Sequence, residues 1–430
     1  MSYKKQSKSL SKIQLKTRKY ELAIRELLDW KGGKIAYHTS ANYTYKMQVD
    51  AFWPDEKQPS AFVSVTCCDA DIRGHSNENK LQLKLGELIL LKAAYPDIRA
   101  IIVIEGFKDA WLPYVLHVFN VFYDEVIFAW EKSDIAKLKR IKLKPMSVEL
   151  KHSELWKSLA TEFNVTDINA HNAPIKSSIR QTIFGEAKKE KGITLPSDIK
   201  NKVLRLCMEE AYKKKGLEWN NFLAKKWDLI QQSRSFFNPG EAAIHLTLTS
   251  QKIAFLGGVA QDVAVPSLIH QFGGKEVQNT KVSEDFILFS NAKDRPIFIQ
   301  SKSSGGGILN HGKNIQNRTK EQIARSMFYR GFLKDGEICL RKKDFIWIGV
   351  LDGDWGVTKS TPLKYLHMLA WAGYDHLLPA DSLLDNSHQY KSNNLLKTII
   401  DQYDCETDPE KLKAKWSAWL KKRQPKSSSK

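Results

Sequence analysis

From Thr17 to Trp30 apolar residues recur at helical spacing, with Tyr20, Ala23, Ile24, Leu27 and Leu28 on one face, and Gly32-Gly33 predicts the stop. Strand-like stretches follow at Tyr43–Phe52 and Ala61–Thr66, then a helix over about Lys80–Ala94 that Pro96 closes. Continuous apolar runs at Ala100–Glu105 and Val126–Trp130 read as buried strands. Helix, hairpin, helix, strand is the order of an α/β unit.

From about Val148 to Gln232 the pattern turns helical. Ser197 or Asp198 can cap one helix carrying Val203, Leu204, Leu206 and Cys207, and a second spans roughly Glu218–Gln232. A second α/β pattern opens at Pro239-Gly240-Glu241. It continues through Ile253–Gly258 and the apolar run Val263–Phe272 to two strands, Phe286–Ser290 and Pro296–Ser301, joined by a turn at Asn291–Arg295. The glycines 305–307 lead to a helix over about Arg318–Tyr329, and Asp344–Leu351 reads as a further buried strand. The chain thus divides into an α/β unit over residues 1–147, a helical linker over 148–237, a second α/β unit over 238–390 and a basic helical tail over 391–430. Trp416–Lys430 is expected to fray. The two α/β patterns share an element order, as a duplication would, with no alignable repeat.

Composition narrows the partners. The 430 residues carry 67 Lys and Arg against 48 Asp and Glu, a formal charge of +19, which favours a polyanion such as nucleic acid. No run of about 18 apolar residues exists, so no membrane-spanning helix is expected. Met1–Lys19 is rich in Lys and Ser and lacks the apolar stretch of a signal peptide. Cys67, Cys68, Cys207, Cys339 and Cys405 form no CxxC pair and have no histidines at zinc spacing. An odd, scattered set fits a reducing cytoplasm. Neither a phosphate loop, nor HExxH, nor a Ser-His-Asp signature is present.

The candidate chemistry lies where the two strands of the second unit end. Asp285 enters the first, and Gln300 and Lys302 leave the second, two apart and therefore on one face. A carboxylate, an amide oxygen and the Ser301 carbonyl are hard oxygen donors suited to Mg²⁺, and an ammonium beside them can orient a water. Beyond them stand Ser303, Ser304, Lys313, Asn314, Gln316, Asn317, Arg318 and Lys320, residue types that contact phosphates and base edges.

This arrangement resembles the PD-(D/E)XK nuclease superfamily, the fold of most type II restriction endonucleases. The resemblance covers about residues 238–385 and implies Asp285 as the motif acid, Gln300 in the Glu position and Lys302 as the motif lysine. No proline precedes Asp285, and glutamine weakens the negative charge; Glu284, or Glu241 on the opening helix, could supply a second acid. The implied activity is sequence-specific, Mg²⁺-dependent cleavage of double-stranded DNA. The first unit resembles the same fold, with Asp50 as motif acid but Ser64 and Thr66 where Glu and Lys should stand, so it reads as a degenerate copy serving DNA recognition or dimerisation. The expected architecture is two restriction-endonuclease-like mixed-sheet units joined by a helical segment. One centre per chain cuts one strand, so a homodimer is expected. A catalytically inactive DNA-binding protein and a structure-specific or RNA-directed nuclease are the competing readings.

Overall fold

The computed structural model describes residues 12–39, 43–68, 75–106, 108–143, 149–163, 175–177, 239–258, 263–264, 283–303, 315–355, 357–358, 361–383 and 394–423. The expected helices over 197–207 and 218–232, the glycines 305–307, and Ser304, Lys313 and Asn314 lie outside these residues.

The protein is a mixed α/β structure built on two mixed sheets. The first unit runs α1 (Lys12–Leu28), β1 (Lys31–Thr39), β2 (Tyr43–Trp53), β3 (Ala61–Cys68), α2 (His75–Ala94), β4 (Arg99–Gly106), α3 (Pro113–Phe122), β5 (Glu125–Phe128) and α4 (Lys132–Leu143). Its sheet keeps sequence order, antiparallel from β1 to β3 and parallel from β3 to β5. The helix α5 (Ser153–Phe163) and a short strand β6 (Ile175–Ser177) follow.

The second unit runs α6 (Pro239–Ser250), β7 (Leu256–Gly257), β8 (Phe286–Ser290), β9 (Arg295–Ser303), α7 (Ile315–Arg330), a hairpin of β10 (Gly331–Lys334) and β11 (Glu337–Leu340), then β12 (Ile346–Trp355), α8 (Lys364–Ala372), β13 (His376–Pro379), α9 (Leu395–Gln402) and α10 (Pro409–Arg423). Its sheet order is β13-β12-β9-β8-β7, antiparallel from β7 to β9 and parallel from β9 to β13. β6 pairs with the far end of β12.

Element order, strand order and strand direction therefore repeat. So do two side-chain latches. Asp50 accepts a hydrogen bond from the Val65 backbone N–H at 2.6 Å, and Asp285 accepts one from Ser301 at the same distance. Asp124 accepts the Ala100 N–H near the start of β4, and Asp375 the Trp347 N–H near the start of β12, each at 2.7 Å. A lysine sits on each of that second pair, Lys92 on Asp124 and Lys343 on Asp375.

Packing explains the layers. Ile24 and Leu28 of α1 and Leu138 and Ile141 of α4 cover one face of the first sheet, against Val63, Val65, Ile101 and Val103. Ala243, Ile244 and Leu248 of α6, with Leu396 and Ile400 of α9, cover the outer face of the second, against Phe286, Leu288, Ile297 and Ile299. Between the sheets, α2 and α3 meet α7 and α8 in one continuous core that holds Leu85, Leu88, Phe119, Ile323, Met327 and Leu369. The alternation of β3, β4 and β9 splits their side chains between these layers. At Gly86 the backbones of α2 and α7 approach so closely that a Cβ there would stand 2.3 Å from the Lys320 carbonyl oxygen.

Two expectations fail. Gly32-Gly33 lies inside β1; two residues without side chains leave no alternation to read, and the Arg25 side chain lies over Gly32. The basic end does not fray as far as Arg423. Trp416 and Trp419 stack with ring centroids 5.0 Å apart, and both meet Phe298. Buried Arg423 bonds the Asp344 carboxylate and the Tyr329 carbonyl.

Candidate active site

The end of β9 brings Gln300 and Lys302 to the face covered by α7. With the Gln300 amide oriented so that both its ends are satisfied, its nitrogen donates to the Gln322 side-chain oxygen at 2.6 Å and to the Tyr374 hydroxyl at 3.2 Å. Its oxygen accepts from Arg325 and, at 3.1 Å, from Lys302. Two residues of α7 and one following α8 thus fix an amide that is 1 % exposed. Sequence reasoning missed Gln322, Arg325 and Tyr374; a polar pair three apart on a helix otherwise in the core was the available signal.

Asp285 sits at a break between the short strand Ser283–Glu284 and β8, and its carboxylate spans to Ser301 between Gln300 and Lys302. Lys302 is partly buried. Burial, with Arg325 beside it, pushes its ammonium down to about 8, against the pull of Asp285 and Glu321. Glu284 is fully buried and bonds the Tyr329 hydroxyl and, at 3.4 Å, the Trp347 indole, with Arg325 at 3.7 Å. Burial raises its carboxyl to about 7 despite that arginine. Glu284 therefore faces the inner core between β9, β12 and α7. Glu241 sits half-buried in the first turn of α6, the helix on the opposite face of the sheet.

The first unit repeats this geometry with other side chains. Ser64 and Thr66 point to the α2 face as Gln300 and Lys302 point to α7. Opposite Ser64, α2 carries Lys84 and Glu87. The Lys84 ammonium lies 3.1 Å from Glu87 and 3.5 Å from Asp50, and the Ser64 hydroxyl is 3.4 Å from Glu87. Lys320, from α7 of the other unit, adds a contact to Glu87 at 2.7 Å. Burial alone would raise the Glu87 carboxyl, but Lys320 and Lys84 outweigh it and hold it down at about 2. Glu21 of α1 stands beside Asp50, and burial together with that carboxylate raises its own carboxyl. None of Lys84, Glu87 and Glu21 was among the residues expected from sequence.

The expected nucleic-acid residues divide. Gln316 and Asn317 are accessible on the first turn of α7, and Arg318 is partly exposed but ion-paired with Glu321 at 2.9 Å. Lys320 is turned inward onto Glu87 and buried. Ser303 ends β9. Among the described residues no group of three or more His, Cys, Asp or Glu side chains is arranged to hold a metal ion. Mg²⁺ commonly needs only one or two carboxylates, with waters and substrate phosphates completing its shell. By that measure Asp285 fits, and Gln300 as placed does not, because its oxygen already serves two cations. Among the described residues no helix is long and apolar enough to cross a membrane.

Comparison of the chain with protein-family models, curated proteins and solved structures finds no match.

Proposed function

We propose that this chain is a phosphodiester hydrolase acting on double-stranded DNA in the manner of a restriction endonuclease, with Asp285, Gln300 and Lys302 as its centre. The observation that carries the reading is the Asp285 carboxylate latched to Ser301 between Gln300 and Lys302, at the end of a strand that pairs antiparallel with β8 and parallel with β12. In the reaction a water oxygen bonds to phosphorus as the bond to the leaving sugar oxygen breaks, and that oxygen takes up a proton. Lys302, whose ammonium is pushed down to about 8, is suited to orient the water or steady the phosphate. The Gln300 oxygen accepts a hydrogen bond from Lys302 and holds it in place. A bound Mg²⁺ would neutralise phosphate charge beside Asp285. The net charge of +19 supports a polyanionic substrate. A symmetric cut by one centre per chain requires a second copy of the chain as partner.

The test is incubation of supercoiled plasmid with Mg²⁺. Wild type should yield cut product, and Lys302→Ala should lose at least about 100-fold in rate while its affinity for DNA changes only a few-fold, one charge being a small part of a polybasic interface. Wild-type cutting by Lys302→Ala would remove this residue from the chemistry. A second reading, a DNA-binding protein without activity, is favoured by the Gln300 oxygen being held by two cations; duplex binding with no cleavage in any divalent metal would establish it.

A further inference from the structure

The two units meet through the same patch. The first presents α2 and α3, the second α7 and α8, and the four helices share one core. An interface that uses one patch twice is the arrangement of two subunits about a two-fold axis. Side-chain contacts carry the equivalence into detail. Tyr123, after α3, donates to the Lys84 carbonyl of α2, and Tyr374, after α8, donates to the Gln322 side chain of α7, each at 2.9 Å. Each tyrosine precedes a latch aspartate, Asp124 or Asp375. Three residues beyond Lys84, Glu87 meets Ser64 of β3; three beyond Gln322, Arg325 meets Gln300 of β9. Lys84 and Gln322 are therefore equivalent. The close approach of the helices is between Gly86, two residues after the first, and Lys320, two before the second. Helices that run past each other about a two-fold axis pair their residues in this way.

The two spots so related are not chemically alike. In the second unit Gln300 and Lys302 flank the Ser301 latch of Asp285. In the first, Ser64 and Thr66 stand in their places, and α2 does not restore the missing groups. One oxygen of Glu87 lies 2.7 Å from the Lys320 ammonium and the other 3.1 Å from that of Lys84. Burial alone would lower the Lys84 ammonium, but Glu87 and Asp50 push it up, so it stays a cation where Lys302 is pushed down to about 8. The same packing covers the inner face of the catalytic unit. With α2 on α7 at Gly86, a second copy cannot pack through this patch.

We propose that the first unit takes the place of a second copy, so that the chain acts as a monomer on duplex DNA and nicks one strand. A duplex relates its antiparallel strands by a dyad, so a two-fold pair of units brings one spot to each strand. Cleavage occurs at that of Asp285: a water oxygen bonds to phosphorus, the bond to the leaving sugar oxygen breaks, and that oxygen gains a proton. Because the two units present different side chains, an asymmetric sequence fixes which strand is cut. The proposal rests on the reading of the chain as a nuclease and specifies its product.

The test gives the full chain supercoiled plasmid in excess with Mg²⁺ and maps the ends on both strands. Nicked circles should accumulate before linear DNA, the rate should double when the chain concentration doubles, and the nicks should lie in one strand of a sequence that is not palindromic. Sedimentation of the chain with a duplex carrying that sequence, without metal, should show one chain per duplex. Linear DNA without a nicked precursor, a rate rising as the square of chain concentration, nicks shared equally between the strands, or two chains per duplex overturns the proposal and leaves the reading of Asp285, Gln300 and Lys302 standing. Plasmid left uncut removes the nuclease reading and the proposal with it.

Discussion

Lys320 and Glu87 meet across the boundary between the two units, ammonium to carboxylate at 2.7 Å, each on the helix that covers the inner face of its own sheet. The Glu87 carboxyl titrates near 2 in the folded chain against an ordinary 4.5, so its contribution to stability is present above about pH 4.5 and is lost as pH falls through 2. Lys320→Met removes the larger of the two attractions that lower it. The acid unfolding midpoint of that variant should move to higher pH than wild type, as followed by circular dichroism, with a loss of about 1–3 kcal/mol at neutral pH in urea unfolding. Superimposable acid transitions would show that the pair does not join the halves energetically.

The same crossing is tight at Gly86. A methyl group there meets the Lys320 carbonyl oxygen, which is backbone and cannot swing aside. Gly86→Ala should therefore destabilise by about 1–3 kcal/mol, although alanine is the better helix former by roughly 1 kcal/mol. A stabilised Gly86→Ala in denaturant titration would mean that the helices part at little cost.

Glu284 ties the candidate site to pH. Its folded carboxyl sits near 7 rather than 4.5, so the folded chain holds a proton there that the unfolded chain releases, and stability falls as pH rises from about 4.5 to 7. Glu284→Gln should abolish that fall, which is on the order of 2 kcal/mol in wild type. Urea midpoints at pH 5 and pH 7.5 for both chains provide the check; equal slopes would place the proton elsewhere.

Gln300 should tune Lys302. Gln300→Glu sets a carboxylate where an amide oxygen now accepts from Arg325 and Lys302, so the lysine should hold its proton to higher pH than the present value of about 8. The shift is read by NMR of lysines labelled at Cε, and the alkaline limb of the cleavage profile should follow it. An unmoved Lys302 resonance would mean that the two side chains are not in contact in solution.

Much of this was legible in the chain. The continuous apolar runs of β4, β8 and β9 reflect sheets buried on both faces, and the two-residue spacing of Gln300 and Lys302 required only a strand to put them on one side. Asp285 could be matched to them because a short turn joins its strand to theirs. The strand at Lys31–Thr39 was hidden because glycines carry no pattern, and the end at Trp416–Arg423 because a basic helix looks solvated until two tryptophans and an arginine find the Phe298 core.

What the tertiary structure alone decided is which distant side chains share a volume. Lys84, Glu87 and Lys320 read locally as charges on helices, since a helix presents residues three apart together whatever lies opposite. Only the docking of α2 and α7 across Gly86 brings Lys320 to Glu87, and only the packing of α2 on β3 brings Lys84 to Asp50. Sequence thus determined the strand ends and their carboxylates, because those follow from local period and turn length. The cations that answer them, Arg325 in one unit and Lys84 in the other, were set by helix packing, which depends on the summed shape of a core that no local pattern records.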